Sequence, residues 1–173
     1  MIVRIPTIIY TGVLVACHIY TLSPYLLLGL YLRESNLHWD ARGDWGPAEP
    51  GRFAGDPYWT PNREGLWPHA FGLGQLHVDG AGAPHRPAEL LDITNNIAWS
   101  AEYLHRCLAA AAGSWPDAVS AYNQGIAGWQ ARGRELNAAY VADVLGHYEV
   151  LSAATIEMIP DVGGEWRVEV EYL

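Results

Sequence analysis

The sequence contains no lysine. All ten basic residues are Arg, set against nineteen Asp and Glu, for a net charge of −9. No basic run or stripe is present to neutralise phosphates, which argues against nucleic acid as a partner. The same charge disfavours simple electrostatic capture of an anionic polymer, so such a ligand would have to be held by a shaped groove. Cysteine is scarce: Cys17 and Cys107 are the two, each within a stretch predicted to be helical. Two helices could bring them together, but a pair of buried thiols is the expectation, and no zinc-type Cys/His spacing occurs. The seven His are scattered without an HExxH pair. His77-Val78-Asp79 with His85 is the nearest approach to a metal set, and neither a metal nor an organic cofactor is expected. Internal repeats and low-complexity linkers are also missing. The 173 residues, half of them hydrophobic, therefore read as one domain spanning 1–173.

A further absence is local. Residues 5–32 hold no Asp, Glu, Lys or Arg, a run long enough to suggest a membrane span. Arg4 followed by an apolar stretch ending Leu14-Val15-Ala16-Cys17 also resembles a lipoprotein export signal over 5–17. Thr7, Thr11, His18, Thr21, Ser23 and Pro24 interrupt the run, and Leu22-Ser23-Pro24 divides it. Two buried helices are the reading, with membrane anchoring not expected.

What is present is mainly helical. Ser23-Pro24 is a good helix start, and Tyr25-Leu26-Leu27-Leu28-Gly29-Leu30-Tyr31-Leu32 is apolar on every face, as suits a helix through the middle of a core. Residues 36–70 are rich in Gly, Pro, Asp and Trp and form a long ordered loop. Of its rings, Trp39, Trp45, Trp59 and Trp67, at least half should pack the loop down, and the others are suited to stacking on sugar faces. A helix opening at Thr94-Asn95 places Ile97, Ala101, Leu104, Leu108 and Ala111 on one face and stops at Gly113. Ser114-Trp115-Pro116-Asp117 opens a shorter helix broken by Gly125. Asn137 can cap a last long helix striped by Tyr140, Val141, Val144, Leu145, Tyr148 and Leu151. The segment 152–173 is an extension in which Trp166, Val168, Val170 and Tyr172 alternate with Arg167, Glu169 and Glu171. That alternation predicts a half-buried strand after a Gly163-Gly164 turn, with Ile2-Val3-Arg4-Ile5 as its partner.

Glu34 stands out because it ends the all-apolar helix. Burial and the negative end of the helix dipole both disfavour its charged form, so a raised pKa is expected. A carboxyl that keeps its proton near neutral pH is suited to general acid catalysis of glycosidic bond cleavage. The competing reading is a surface Glu paired with Arg33 or another Arg.

Three stretches in order, Arg33-Glu34-Ser35, Phe71-Gly72-Leu73-Gly74-Gln75 and Ser120-Ala121-Tyr122-Asn123-Gln124-Gly125, with Asn96-Ile97 between the last two, carry a family likeness. Together they resemble the lysozyme-like domain of soluble lytic transglycosylases and goose-type lysozymes over about 8–151. The resemblance implies cleavage of peptidoglycan strands at the bond between N-acetylmuramic acid and N-acetylglucosamine. Glu34 would be the general acid, with Ser35, Gln75, Tyr122 and Asn123 as substrate-binding or orienting neighbours. The sequence departs from the family in having Gly74 for the usual Met, Gln124 for a small residue, Ser100 for a common Gly, and a longer 36–70 loop.

Whether a second carboxylate exists decides the outcome. An inverting hydrolase needs one roughly 6.5 to 9.5 Å from the acid to activate water. Asp44 and Asp79 are the nearest counterparts, with Asp79 a couple of positions late, and Asp56 and Glu64 are further candidates. Since no Asp aligns cleanly, the transglycosylase outcome is slightly preferred. A goose-type inverting muramidase, a non-catalytic glycan-binding module and a chitinase-like glycosidase remain as alternatives. The expected place of action is the bacterial cell wall, reached either as a periplasmic or extracellular enzyme or by phage delivery, in the manner of an endolysin or another bacteriophage-borne enzyme.

Overall fold

The computed structural model describes residues 2–48, 51–160 and 166–171; for residues 2–3, 155–160 and 166–171 the description is of the backbone. The chain divides into two compact units, Met1–Arg33 with Ala101–Leu173, and Glu34–Ser100.

In the first unit, β1 (Ile2–Pro6) leads into α1 (Thr7–Tyr20), and Pro24 opens α2 (Pro24–Ser35). α1 ends at Thr21, in the left-handed region at φ 55°, where the amides of Thr21 and Leu22 both return to the Cys17 carbonyl. The break expected at residues 22–24 is therefore present. α2 is buried on all sides: Leu26, Leu27, Leu28, Leu30 and Tyr31 have essentially no exposed surface. Each such side chain contributes about 1.5–3 kcal/mol of transfer free energy. Gly29 is what lets α7 (Ala138–Ala153) lie against this helix. A Cβ there would stand 3.0 Å from the Val144 carbonyl oxygen and 3.1 Å from the Tyr148 nitrogen.

α1 departs from the expectation of burial. Ile9, Val13, Ala16 and Cys17 face inward, but Ile8, Val15 and Ile19 are 58%, 61% and 66% exposed. These three follow a helical spacing, so an apolar sequence here makes a two-faced helix with one apolar face outward. Among the described residues, no helix is long and apolar enough to cross a membrane.

α4 (Ile93–Ala110) and α5 (Trp115–Gln124) follow the predicted starts and stops. Ser114 caps α5 by accepting the Asp117 amide, and Gly125, at φ 77°, ends it. Two short elements not foreseen, α6 (Ile126–Arg132) and a 3₁₀ turn (Arg134–Asn137), connect α5 to α7. Asn137 does not cap α7 with its side chain. Its amide instead donates to the Ser120 carbonyl and to Asn123 Oδ1, because those groups compete for it. Cys17 and Cys107 are buried and unbridged, and burial pushes each thiol up to about 12.

The tail forms a sheet of order β1-β6-β5, with β5 (Thr155–Pro160) and β6 (Trp166–Glu171) both antiparallel to their neighbours. β1 pairs with β6 as expected, Ile2 opposite Glu171 through Pro6 opposite Arg167. β5 was not anticipated, and the Gly163-Gly164 turn and Tyr172 lie outside the described residues.

The inserted unit carries a small sheet of β2 (Arg42–Gly43), β3 (Ala70–Phe71) and β4 (Leu76–His77), in that order. A four-residue helix, α3 (Pro87–Leu90), precedes α4. Its core is Trp59, Phe71, Leu76, Val78, Leu90 and Leu91, with Phe53, Trp67 and Trp99 packed against it. Two of the four loop tryptophans, Trp59 and Trp67, thus hold the loop down, while Trp39 and Trp45 are exposed.

Candidate active site

Glu34 and Ser35 form the last turn of α2, Glu34 half-buried and Ser35 buried. The chain then reverses through Asn36 and Leu37, both in the left-handed region at φ 50° and 62°. Asn tolerates this region, so the strain falls on Leu37, at about 1–2 kcal/mol. A ladder of main-chain bonds carries the turn forward: His38 N–H donates to the Ser35 carbonyl at 3.0 Å, and Ala41 N–H to that of His38 at 3.2 Å. The Ala41 carbonyl in turn accepts from Gly72 N–H at 2.8 Å and from Gln75 Nε2 at 3.3 Å. The end of the Glu34 helix is thereby tied to the turn at residues 72–75.

That turn is held from behind by Asn96, which is fully buried. Asn96 Nδ2 donates to the carbonyls of Phe71 (2.9 Å) and Leu90 (2.7 Å), and Oδ1 accepts the Gly74 amide at 2.9 Å. Gly72 must be glycine on two counts: its φ is +75°, and a Cβ would stand 2.3 Å from Asn96 Nδ2. Ser100, where the family commonly has Gly, donates to the Asn96 carbonyl at 2.6 Å. Gln75 is itself left-handed at φ 45°, and its amide donates to the Gly72 and Ala41 carbonyls.

Asp44 and Asp79 are both exposed and flank one histidine, His77, on which both charges act. Burial lowers the His77 pKa, and outweighs the opposing pull of the two carboxylates. Asp79 is paired with Arg52 and accepts from His69 Nδ1 at 3.2 Å. Burial works against its charge, but the hydrogen bonds from Arg52 and His69 prevail and hold it below the usual carboxylate range. His85 lies apart from this group, stacked 3.5 Å from the Trp99 ring. The sequence pairing of His77 with Asp79 therefore holds, but the third member is His69. Asp56 is an anchor for the loop, its buried carboxylate accepting from the amides of Tyr58 and Ala88, and Glu64 is exposed.

Tyr122 and Asn123 belong to the other unit. Tyr122 is buried with its ring 5.1 Å from that of Tyr103; Asn123 is exposed and accepts from Asn137 at 3.0 Å. Gln124, the departure from a small residue, donates to Ser120 Oγ and the Gly133 carbonyl, each at 2.9 Å. It joins the end of α5 to the turn before the 3₁₀ segment. Arg33 turns to Asp143 at 3.2 Å and lies 5.3 Å from the centre of the Tyr140 ring. An open concavity of about 590 Å³ in this unit, lined by Asp117, Trp129 and Arg134 among others, holds none of the residues singled out from sequence.

A mainly helical architecture, with a buried apolar helix ending in Glu-Ser and a glycine turn clamped by a buried Asn, places the protein in the lysozyme-like class. The family model of the transglycosylase SLT domain matches residues 14–140, and the chain belongs to that family, whose members are peptidoglycan lytic transglycosylases that cleave glycosidic bonds. Its substrate class is accordingly peptidoglycan and its place of action the cell wall. A search of curated proteins finds no match.

Proposed function

We propose that the chain cleaves the bond between N-acetylmuramic acid and N-acetylglucosamine with Glu34 as its acid and base, ending the released strand in a 1,6-anhydro sugar. The observation that carries this reading is the fastening of the Glu34 turn to the 72–75 turn through Ala41, which fixes a half-buried carboxyl relative to a glycine-rich, ligand-approachable backbone. The strained residues Leu37 and Gln75 lie within the same stretches, as is common where geometry serves chemistry.

In this mechanism Glu34 donates its proton to the glycosidic oxygen as the bond to the muramic C1 breaks, and positive charge develops at that carbon. The C6 hydroxyl of the same sugar then attacks C1 and returns a proton to the Glu34 carboxylate. Atoms balance without water, and the acid is regenerated. Ser35 and Tyr122 orient the carboxyl or the sugar, and Asn123 helps to hold the strand. With the Gln75 amide donating to two carbonyls, its Oε1 is the atom through which it would meet an N-acetyl or hydroxyl group.

The engagement of Asp79 with Arg52 and His69 favours this outcome over inverting hydrolysis, since a carboxylate held by two donors is a poorer base for water. Replacing Glu34 by Gln should preserve the far-ultraviolet circular dichroism and lower clearing of purified walls by about 10²-fold or more; clearing at the wild-type rate rejects the assignment. Mass spectrometry of the released muropeptides should show anhydro ends, and reducing ends in their place would establish hydrolysis.

A further inference from the structure

We propose that His69, His77 and Asp79 form a binding site for one divalent ion of the zinc class. The three residues sit where β3 begins and β4 ends, and one ligand atom from each lies within 4.8 Å of the other two. Asp79 Oδ2 is 3.2 Å from His69 Nδ1 and 3.9 Å from His77 Nδ1. Neighbouring donors in a tetrahedral site with bonds of about 2.0–2.2 Å stand about 3.3–3.6 Å apart, so small side-chain rotations bring this set to coordination. Two imidazoles and one carboxylate match the donor preference of zinc and its first-row neighbours, and leave further positions for water.

The surroundings fit a cation. Arg52 engages the other carboxylate oxygen, Oδ1, which fixes the plane of the group and leaves Oδ2 facing the two rings. Asp44 adds a second negative charge beside His77, so the two acids outnumber the one Arg. His69 is mostly buried and its ring is held against Trp59 and His77, with centroids 6.0 and 5.5 Å away, so one ligand is already oriented. His77 Nδ1 accepts the Asp79 amide at 3.1 Å, a bond that an ion held at this nitrogen would replace.

Binding would cross-link the two arms of the hairpin that carries the 72–75 turn. It does not depend on the catalytic reading, because none of the three residues takes part in the proton transfers assigned to Glu34. The test is calorimetric titration of the full chain, freed of metal by chelator, with Zn²⁺, alongside visible absorption with Co²⁺. One ion per chain, a Co²⁺ d–d band and a raised melting temperature are expected. Asp79→Asn and His77→Ala, both at partly exposed positions, should each weaken Zn²⁺ binding roughly tenfold or more and abolish the thermal shift, while Asp40→Asn leaves both unchanged. Absence of Zn²⁺ uptake by the wild-type chain overturns the proposal, as does wild-type affinity in the two ligand variants.

Discussion

In the unit formed by residues 1–33 and 101–173, apolar helices hold one another. In the inserted unit, 34–100, single side chains hold stretches of irregular backbone. Leu26 through Leu30 can be read as a volume to be filled, and Gly29 as the place where two helices touch. Asn96, Asp56 and Gln75 instead satisfy named amides and carbonyls, and no side chain of similar size but different polarity replaces them. The first kind of packing degrades gradually under substitution. The second fails when one group is changed, and it is the kind that surrounds the strained turns of the candidate site.

This contrast can be broken. Asn96→Leu, nearly the same size, removes three hydrogen bonds to buried backbone groups and should cost about 4 kcal/mol. Leu30→Ala in the helical unit should cost about 3 kcal/mol through transfer and cavity terms. Denaturant unfolding of both variants compares them directly, and a larger loss for Leu30→Ala would show that polar clamps are not the weaker point. Gly29→Ala forces α2 and α7 apart by a few tenths of an ångström and should cost about 2 kcal/mol, measurable as a lowered midpoint.

The smallest effect concerns acid. Asp79 is held below the usual carboxylate range in the folded chain, so its ionised form adds stability above that range, and the contribution is lost as pH falls through the lower folded value. Asp79→Asn should therefore flatten the acid limb of the stability profile. An unchanged limb would mean that the Arg52 pair is as strong in the unfolded chain.

Much of the helical unit was legible in the sequence because each signal was local. A run apolar on every face announced the burial of α2, Ser114 and Gly125 marked the ends of α5, and alternation from Trp166 onward gave β6 and its pairing with β1. The outward face of α1 was not legible, since Ile8, Val15 and Ile19 have the same chemistry as the residues that face inward. β5 was missed because only Ala154 separates it from α7, with no Gly or Pro to mark the change. In the inserted unit the motif residues were visible but their bonding was not. Asn96 lies more than twenty residues from the Gly74 amide it accepts, and His69 is eight residues before His77, distances that no periodicity reports. Gln124 was readable as a departure, while its purpose emerged with the Gly133 carbonyl it reaches.

The antiparallel match of β1 with β6 also orders events during synthesis. Residues 34–100 have every partner of their small sheet in hand before residues 101–171 are made. The strand at Ile2–Pro6 precedes that unit in the sequence, while its neighbour, residues 166–171, follows it. The helical unit therefore completes its sheet after the inserted unit, and a chain arrested before that point would carry a glycine turn already shaped and an early strand still lacking its neighbour.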